Sequence, residues 1–331
     1  MHTRTLGHDG TKVSAIGIGA MSFSDFYGPT TDEASFAILD AAQDLGITAI
    51  DTANVYGAGR SETVIGRYLA QTGARDRFHI ATKAGITRDS DGNRHFDNAP
   101  AHLERELDAS LKRLGIEQVD LFYVHRRDDA HEIEEVVETL VGLKRAGKIA
   151  AFGFSEIAPT SLARAAAVHP VAAVQSEYSL TTRYPDLGLR QACARHGTAL
   201  VAFSPVGRGL LSDAPPDAEK NAASAFMQSN PRFAPANLPR NIAATDPLRH
   251  LAADMGVPTA ALAMAWLLAQ DDHVHPIPGT RSVEHLRNLA AGADMTLTAD
   301  DLARIETALP VGSIHGDRYG HDQWVGVEKY C

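Results

Sequence analysis

The 331 residues include only two cysteines, Cys193 and Cys331, which make no disulfide framework and suit a reducing cytoplasm. Basic blocks are absent too. Lysine and arginine are dispersed through a chain of formal charge -10, which argues against nucleic acid or an anionic membrane as partner, so an anionic ligand needs a local basic pocket. The opening residues, MHTRTLGHDG, lack the apolar core of a secretory signal, and a cytoplasmic location is expected. The longest apolar run, 260–269, is too short to span a bilayer and reads as a buried helix. No low-complexity tract argues for disorder, and 44% hydrophobic with 22% charged residues fits a folded enzyme-sized body. At this length one barrel and two smaller domains are both possible; no second domain or internal repeat is visible, so one domain over 1–331 is expected.

What is present is an alternation of strand and helix patterns. Residues 3–14 alternate around an Asp9-Gly10 turn and read as a hairpin plugging one end of the fold, followed by a buried strand at 15–19 (AIGIG). Thr30-Thr31-Asp32-Glu33 offers a capping box for a helix that stops at Gly46. Leu103, Leu107, Leu111 and Leu114 form one helical stripe before Gly115, and strand 119–124 follows. Helices at 133–144, 161–168, 187–195 and 260–270 lead into strands at 149–154, 171–175, 198–203 and 273–277. About eight strands, each followed by a helix, predict a closed α/β barrel of the (β/α)8 type. The open doubly wound sheet is the alternative, but Gly17 and Gly19 lack the third glycine and the acidic residue of a dinucleotide fingerprint. Residues 212–241, rich in Pro, Asn and Ser, read as a lid; 299–309 reads as an added helix, and the tail 312–331 is expected over the barrel mouth.

The unusual residues fall at strand ends, where barrels keep their chemistry. The run 47–57 (ITAIDTANVYG) ends its strand in Asp51 with Tyr56 just beyond, 79–83 (HIATK) closes on Lys83, and 119–125 (VDLFYVH) closes on His125. A free phenol has a pKa of about 10, so Tyr56 needs a neighbouring cation to act near neutrality. Lys83 supplies that cation, Asp51 offsets its burial, and a neutral His125 orients a substrate oxygen. Taken singly, each residue is more often a structural ion pair, a cap or a turn aromatic; the joint pattern carries the functional interpretation. Metal-dependent hydrolysis is disfavoured, since no His-x-His or glutamate-rich strand end accompanies Asp51 and His125.

DTANVYG, HIATKAG, DLFYVHR, GKIAAFGFSE, AAVQSEYSL, VAFSPVGRGLL and HPIPGTRSVEHL, in that order, resemble the aldo-keto reductases, and the likeness runs over nearly the whole chain. It is closest to the microbial branch with GxSE and QSEYS motifs. The resemblance implies a TIM barrel, NADPH as hydride donor and a small-molecule carbonyl substrate reduced to an alcohol. It implies Tyr56 as general acid, Lys83 as its pKa depressant, Asp51 as the partner of Lys83 and His125 as the carbonyl-orienting group. Ser155 and Gln175 would hold the nicotinamide carboxamide, and Phe203 would stack on the ring beside Ser204 and Pro205. Gly207, Arg208 and Gly209 would follow the pyrophosphate, with Met21 and Asp51 also lining the cofactor. Gly279, Thr280, Arg281 and Ser282 open a helix suited to a ribose phosphate. Asn288 and Leu289 stand where the family commonly has an acidic residue and then Asn for the adenine.

Cofactor is expected to bind first, with 212–241 as a clamp. Substrate choice is expected in 23–27, the loop after His125 and the tail around Tyr319 and Trp324. Two other functions share these features: oxidation of an alcohol or sugar by the reverse reaction, and a cofactor-binding sensor resembling potassium-channel beta subunits.

Overall fold

The computed structural model describes residues 1–330 apart from 89, 90, 218, 220, 222 and 223, so Cys331 and part of the expected lid lie outside the described residues. Strands β1 (Thr3–Thr5) and β2 (Lys12–Ser14) form the expected antiparallel hairpin. Eight parallel strands then make one sheet: β3 (Ile18–Gly19), β4 (Ala49–Asp51), β5 (His79–Ala84), β8 (Val119–Val124), β9 (Ile149–Ser155), β10 (Ala173–Glu177), β11 (Ala199–Phe203) and β12 (Val274–Pro276). Gly17 N–H donates to Pro276 O at 3.0 Å and Gly19 N–H to Pro278 O at 2.9 Å, which joins the first strand to the last and closes the barrel.

Side chains alternate between two cores, as a period of two requires. Ala81, Leu121, Tyr123, Ala173, Ala199, Val201 and Ile277 fill the barrel interior, with Leu6 and Val13 of the hairpin among them as the plug. Ile80, Phe122, Val124, Val174, Leu200 and Ala202 face outward into the helical layer. The same parity that turns Ala81 inward turns Lys83 inward. The residues of the interior layer therefore become the residues of the mouth.

Among the described residues the α-helices of eight residues or more are α1 (Asp32–Asp44), α2 (Arg60–Thr72), α3 (Pro100–Leu114), α4 (Ile133–Arg145), α5 (Pro159–Val168), α6 (Leu189–His196), α7 (Leu238–Asp254), α8 (Thr259–Leu268), α9 (Val283–Ala291) and α10 (Ala299–Ala308). Helix α3 shows the local logic. Pro100 starts it without wasting an amide, Gly115 ends it at φ 67°, and Leu103, Leu107 and Leu114 are buried, each contributing about 1.5–3 kcal/mol. Every residue of α8 is buried, and among the described residues no single helix is long and apolar enough to cross a membrane.

Two long helices and one hairpin went unread in the sequence. Helix α2 is framed by Gly59 and Gly73, both at positive φ. Strands β6 (Ile86–Arg88) and β7 (Arg94–Phe96) form a hairpin between β5 and α3. Helix α7 carries Pro247 inside it, a residue that removes one helical hydrogen bond and interrupts the helical pattern. Around it the Arg249 guanidinium and the Thr245 hydroxyl donate to the Ile242 carbonyl, at 2.5 and 3.0 Å. The capping box expected at α1 is absent: Thr31, not Thr30, is the cap and accepts from Ala34 N–H, while a reciprocal box stands at Thr298 and Asp301 of α10.

At Gly153 of β9 an added Cβ would lie 2.3 Å from Ala173 O and 2.8 Å from the Tyr123 ring, because backbone and phenol already occupy that space. Gly153→Ala should therefore destabilise the fold by at least about 1–3 kcal/mol in equilibrium urea unfolding. Wild-type stability would contradict that packing.

Candidate active site

Backbone hydrogen bonds continue past the end of β4 and set the position of Tyr56. Thr52 N–H donates to Ala81 O at 2.9 Å, Asn54 N–H to Lys83 O at 3.1 Å, and Tyr56 N–H closes a turn on Ala53 O at 3.1 Å. His125 N–H donates to Ala84 O at 2.7 Å, which seats His125 just past β8. Asp51, Tyr56, Lys83 and His125 thus converge at the C-terminal rim.

Lys83 has no exposed surface, and its Nζ contacts Asp51 Oδ1 and donates to Thr52 O at 2.7 Å. Gln175 Nε2 donates to Asp51 Oδ2 at 2.7 Å, so both carboxylate oxygens are engaged. Lys83 Nζ lies 5.2 Å from the Tyr56 ring centroid and 5.7 Å from that of Tyr123. The Tyr56 and His125 rings meet edge to face, with centroids 5.8 Å apart.

Burial pushes Asp51 up and Lys83 down, and each one's charge opposes the other's shift. Burial also raises the Tyr56 phenol, the Asp51 charge adds to this, and the Arg126 guanidinium pulls it back. His125 is held well below the usual histidine range, first by burial and then by Arg126, Lys83 and Arg94. It is therefore a neutral imidazole at physiological pH. Its Nδ1 has no hydrogen-bond partner among the described residues.

The other sequence-selected residues surround this group. Ser155, last in β9, is buried and accepts from Arg126 Nη1 at 2.9 Å; Gln175 lies one strand further. Phe203, last in β11, is half-buried, and Ser204 follows at φ 50°, with Pro205 buried. Gly207, Arg208 and Gly209 all have positive φ. The Arg208 guanidinium is turned onto buried Glu177 at 2.6 Å and lies 5.4 Å from the Phe226 ring centroid. Met21 is half-buried in the turn after β3, its carbonyl accepting Ser24 Oγ at 2.6 Å. Gly279 packs on the Gly19 carbonyl, where a Cβ would come within 2.8 Å. Thr280 Oγ1 accepts Ser282 N–H, and Ser282 caps α9. Exposed Arg281 donates to Pro29 O at 3.0 Å, which ties the eighth-strand loop to the first. Asn288 is half-buried on α9, while Leu289 is buried in the core.

The sequence did not single out the charged cluster above these residues. Glu156 and Glu177 each follow a serine in a quoted motif, GFSE and QSE, which was the available signal. Glu156 accepts both Arg318 Nη1 at 2.9 Å and Nη2 at 2.5 Å; Glu177 takes Arg208 and, at 3.3 Å, Arg232. The tail is thereby held over the rim, with Arg318 stacked on Tyr319 and Trp324 at 4.7 and 4.8 Å. Residues of the expected lid join in. Asn230 Nδ2 donates to Arg318 O at 2.5 Å, and Phe226 packs against Phe26 and Tyr27 at 4.7 and 6.2 Å. The non-glycine residues at positive φ, Asp25, Ala58, Glu156, Ser204 and Arg208, all follow barrel strands at this rim, each costing about 1–2 kcal/mol.

Residues 15–310 match the model of the aldo/keto reductase family. The chain is 37% identical over 321 residues to the aldo-keto reductase yakc [NADP(+)] of Schizosaccharomyces pombe, covering 96% of this chain and 94% of that protein. It is 35% identical to a probable aldo-keto reductase 1 of Glycine max, covering 95% and 90%. A glycerol dehydrogenase from Gluconobacter oxydans superposes with a TM-score of 0.80 at 28% identity, covering 92% and 94%. An aldo-keto reductase from Bacillus halodurans in its holo form gives 0.77 at 25% identity, covering 98% and 99%.

The Glu156 carboxyl lies below the usual range although burial opposes this, because the Arg318 charge and hydrogen bonds outweigh it. That stabilisation is complete above the ordinary glutamate value of 4.5 and drains away as pH falls toward the folded value. Urea unfolding of the wild type should show this loss. Arg318→Leu should lower stability at neutral pH by roughly 3–5 kcal/mol and flatten the acid limb; a variant with wild-type stability and an unchanged acid limb would refute the pairing. With the (β/α)8 barrel closed and Asp51, Tyr56, Lys83 and His125 gathered at its rim, the chain belongs to the aldo/keto reductase family.

Proposed function

We propose that this protein is an NADPH-dependent oxidoreductase that reduces aldehydes or ketones to alcohols, with Tyr56 as general acid. The observation that carries this is the buried Lys83–Asp51 pair next to a phenol and a neutral imidazole at the mouth of a barrel of this family. Similarity to yakc [NADP(+)] over most of both chains supports the choice of cofactor.

The residues present fit such a cofactor. Ser155 and Gln175 are buried polar side chains on adjacent strands, suited to a carboxamide that needs both a donor and an acceptor. Phe203 offers a half-buried ring face between β11 and the Gly207–Gly209 turn. Gly279, Thr280, Arg281 and Ser282 bring a capped helix start, a hydroxyl and a guanidinium to one place, suited to a ribose phosphate. Met21 lies in the turn after β3, and Asn288 lies on the helix that Ser282 caps. Bound NADPH would supply the hydride.

The chain's own residues supply the proton and the alignment. His125, held neutral, offers a ring N–H to the carbonyl oxygen and fixes its direction. Tyr56 gives its proton to the oxygen as negative charge builds there. Burial raises the phenol, yet an alkoxide is a stronger base than a phenolate, so transfer still runs from Tyr56 outward. Lys83 stabilises the phenolate left behind, and Asp51, braced by Gln175, keeps the ammonium in place.

NADPH oxidation measured against a panel of aldehydes tests this directly. Tyr56→Phe should lower kcat by about 10²–10⁴-fold while NADPH affinity stays within a few fold. Unchanged turnover would remove Tyr56 from the acid role.

A further inference from the structure

Around the mouth, four guanidinium groups are buried, those of Arg126, Arg208, Arg232 and Arg318. Apart from Asp51, which is taken by Lys83, and Asp128, whose oxygens accept the Asn98, Ala130 and His131 backbone amides, they share two buried carboxylates. Glu156 spends both oxygens on Arg318, and Glu177 is shared by Arg208 and Arg232. Arg126 is left over. Its Nη1 donates only to neutral oxygens, His125 O at 2.6 Å and Ser155 Oγ at 2.9 Å. Its Nε is buried without a partner, as are those of Arg208, Arg232 and Arg318, but unlike theirs its guanidinium has no carboxylate within ion-pair distance among the described residues. Glu156 feels the Arg126 charge from further away, with its oxygens already occupied. Arg94 on β7 is near enough to repel it. A buried cation with no carboxylate in direct contact is costly, and an anionic ligand beside it would offset that cost.

The place of Arg126 indicates which ligand. It follows His125 in the chain, bonds to Ser155, and its charge reaches both Tyr56 and His125. Residues 279–282, suited to a phosphate, follow β12, which is three places from β9 in the sheet order. Arg126 therefore stands at the substrate end. We propose that Arg126 is a specificity-determining residue that binds a carboxylate or phosphate carried by the carbonyl substrate a few bonds from its carbonyl, with Arg94 adding attraction from the outer side. This rests on carbonyl reduction at Tyr56.

Matched pairs test it: succinic semialdehyde against butanal, and glyceraldehyde phosphate against glyceraldehyde, each read as kcat/KM with NADPH. The anionic member of at least one pair should be preferred roughly tenfold or more, as expected of a charged hydrogen bond. The pair that responds tells carboxylate from phosphate. Arg126→Gln should bring that ratio close to one, Arg126→Lys should restore part of it, and Arg94→Gln, at an exposed position, should reduce it about threefold.

Calorimetry on the NADP+-loaded protein supplies a readout without turnover. Succinate should bind at least about tenfold more tightly than the neutral succinamide, and Arg126→Gln should abolish that preference. No preference in the wild type, or a preference that survives Arg126→Gln, overturns the proposal. Neutral aldehydes reduced without any anion preference would sink the proposal and leave carbonyl reduction standing. Succinate preference that depends on Arg126 in a protein inert toward every aldehyde would leave the anion site standing and sink carbonyl reduction.

Discussion

A lysine with no exposed surface must have its charge met inside the protein, and the Lys83–Asp51 pair does this at the rim of the barrel. Breaking such a pair from one side leaves a bare charge in a poorly solvated place, at a cost of about 3–5 kcal/mol. Much of the rim geometry follows from that constraint. Asp51 must end its strand facing inward, Gln175 must take the second carboxylate oxygen, and Thr52 must turn its carbonyl to Nζ. The turn that carries Thr52 and Asn54 is laddered to β5, so the same bonds that complete the lysine's surroundings also deliver Tyr56 beside it.

A second layer of charge sits above the first and has a different task. Glu156 and Glu177, one residue beyond the serines of β9 and β10, draw in Arg318 from the tail, Arg208 from the loop after β11 and Arg232 from the long insertion. These segments are far apart in sequence and would have little reason to meet otherwise. Aromatic rings fill the space between the guanidinium groups, with Arg208 lying between Phe226 and Tyr319. The roof of the site is therefore ionic and aromatic, whereas the barrel interior beneath it is apolar. Strained backbone at Glu156, Ser204 and Arg208 belongs to this roof.

The barrel was legible because its signals are periodic. Lys83 lies two residues beyond Ala81 and Asp51 two beyond Ala49, so parity alone turns them to the interior. The leucine stripe of α3 and the glycine that ends it were equally plain. The β6–β7 hairpin and helix α7 were not, since one is short and the other contains Pro247, and each is held by tertiary contacts rather than by local preference. Arg126 and the two glutamates were visible as letters within motifs. Their importance was not, because it depends on which arginine finds a carboxylate, and that is settled only when the tail and the insertion come together.

Single-turnover hydride transfer by Lys83→Met, with NADPH saturating and a reactive aldehyde in excess, tests the central claim most directly. If the buried ammonium supports the phenol, transfer should slow by at least about a hundredfold while NADPH still binds and the protein remains folded by circular dichroism. A folded variant that binds NADPH and transfers hydride at the wild-type rate would show that the Lys83–Asp51 pair holds the barrel rim together and takes no part in the chemistry.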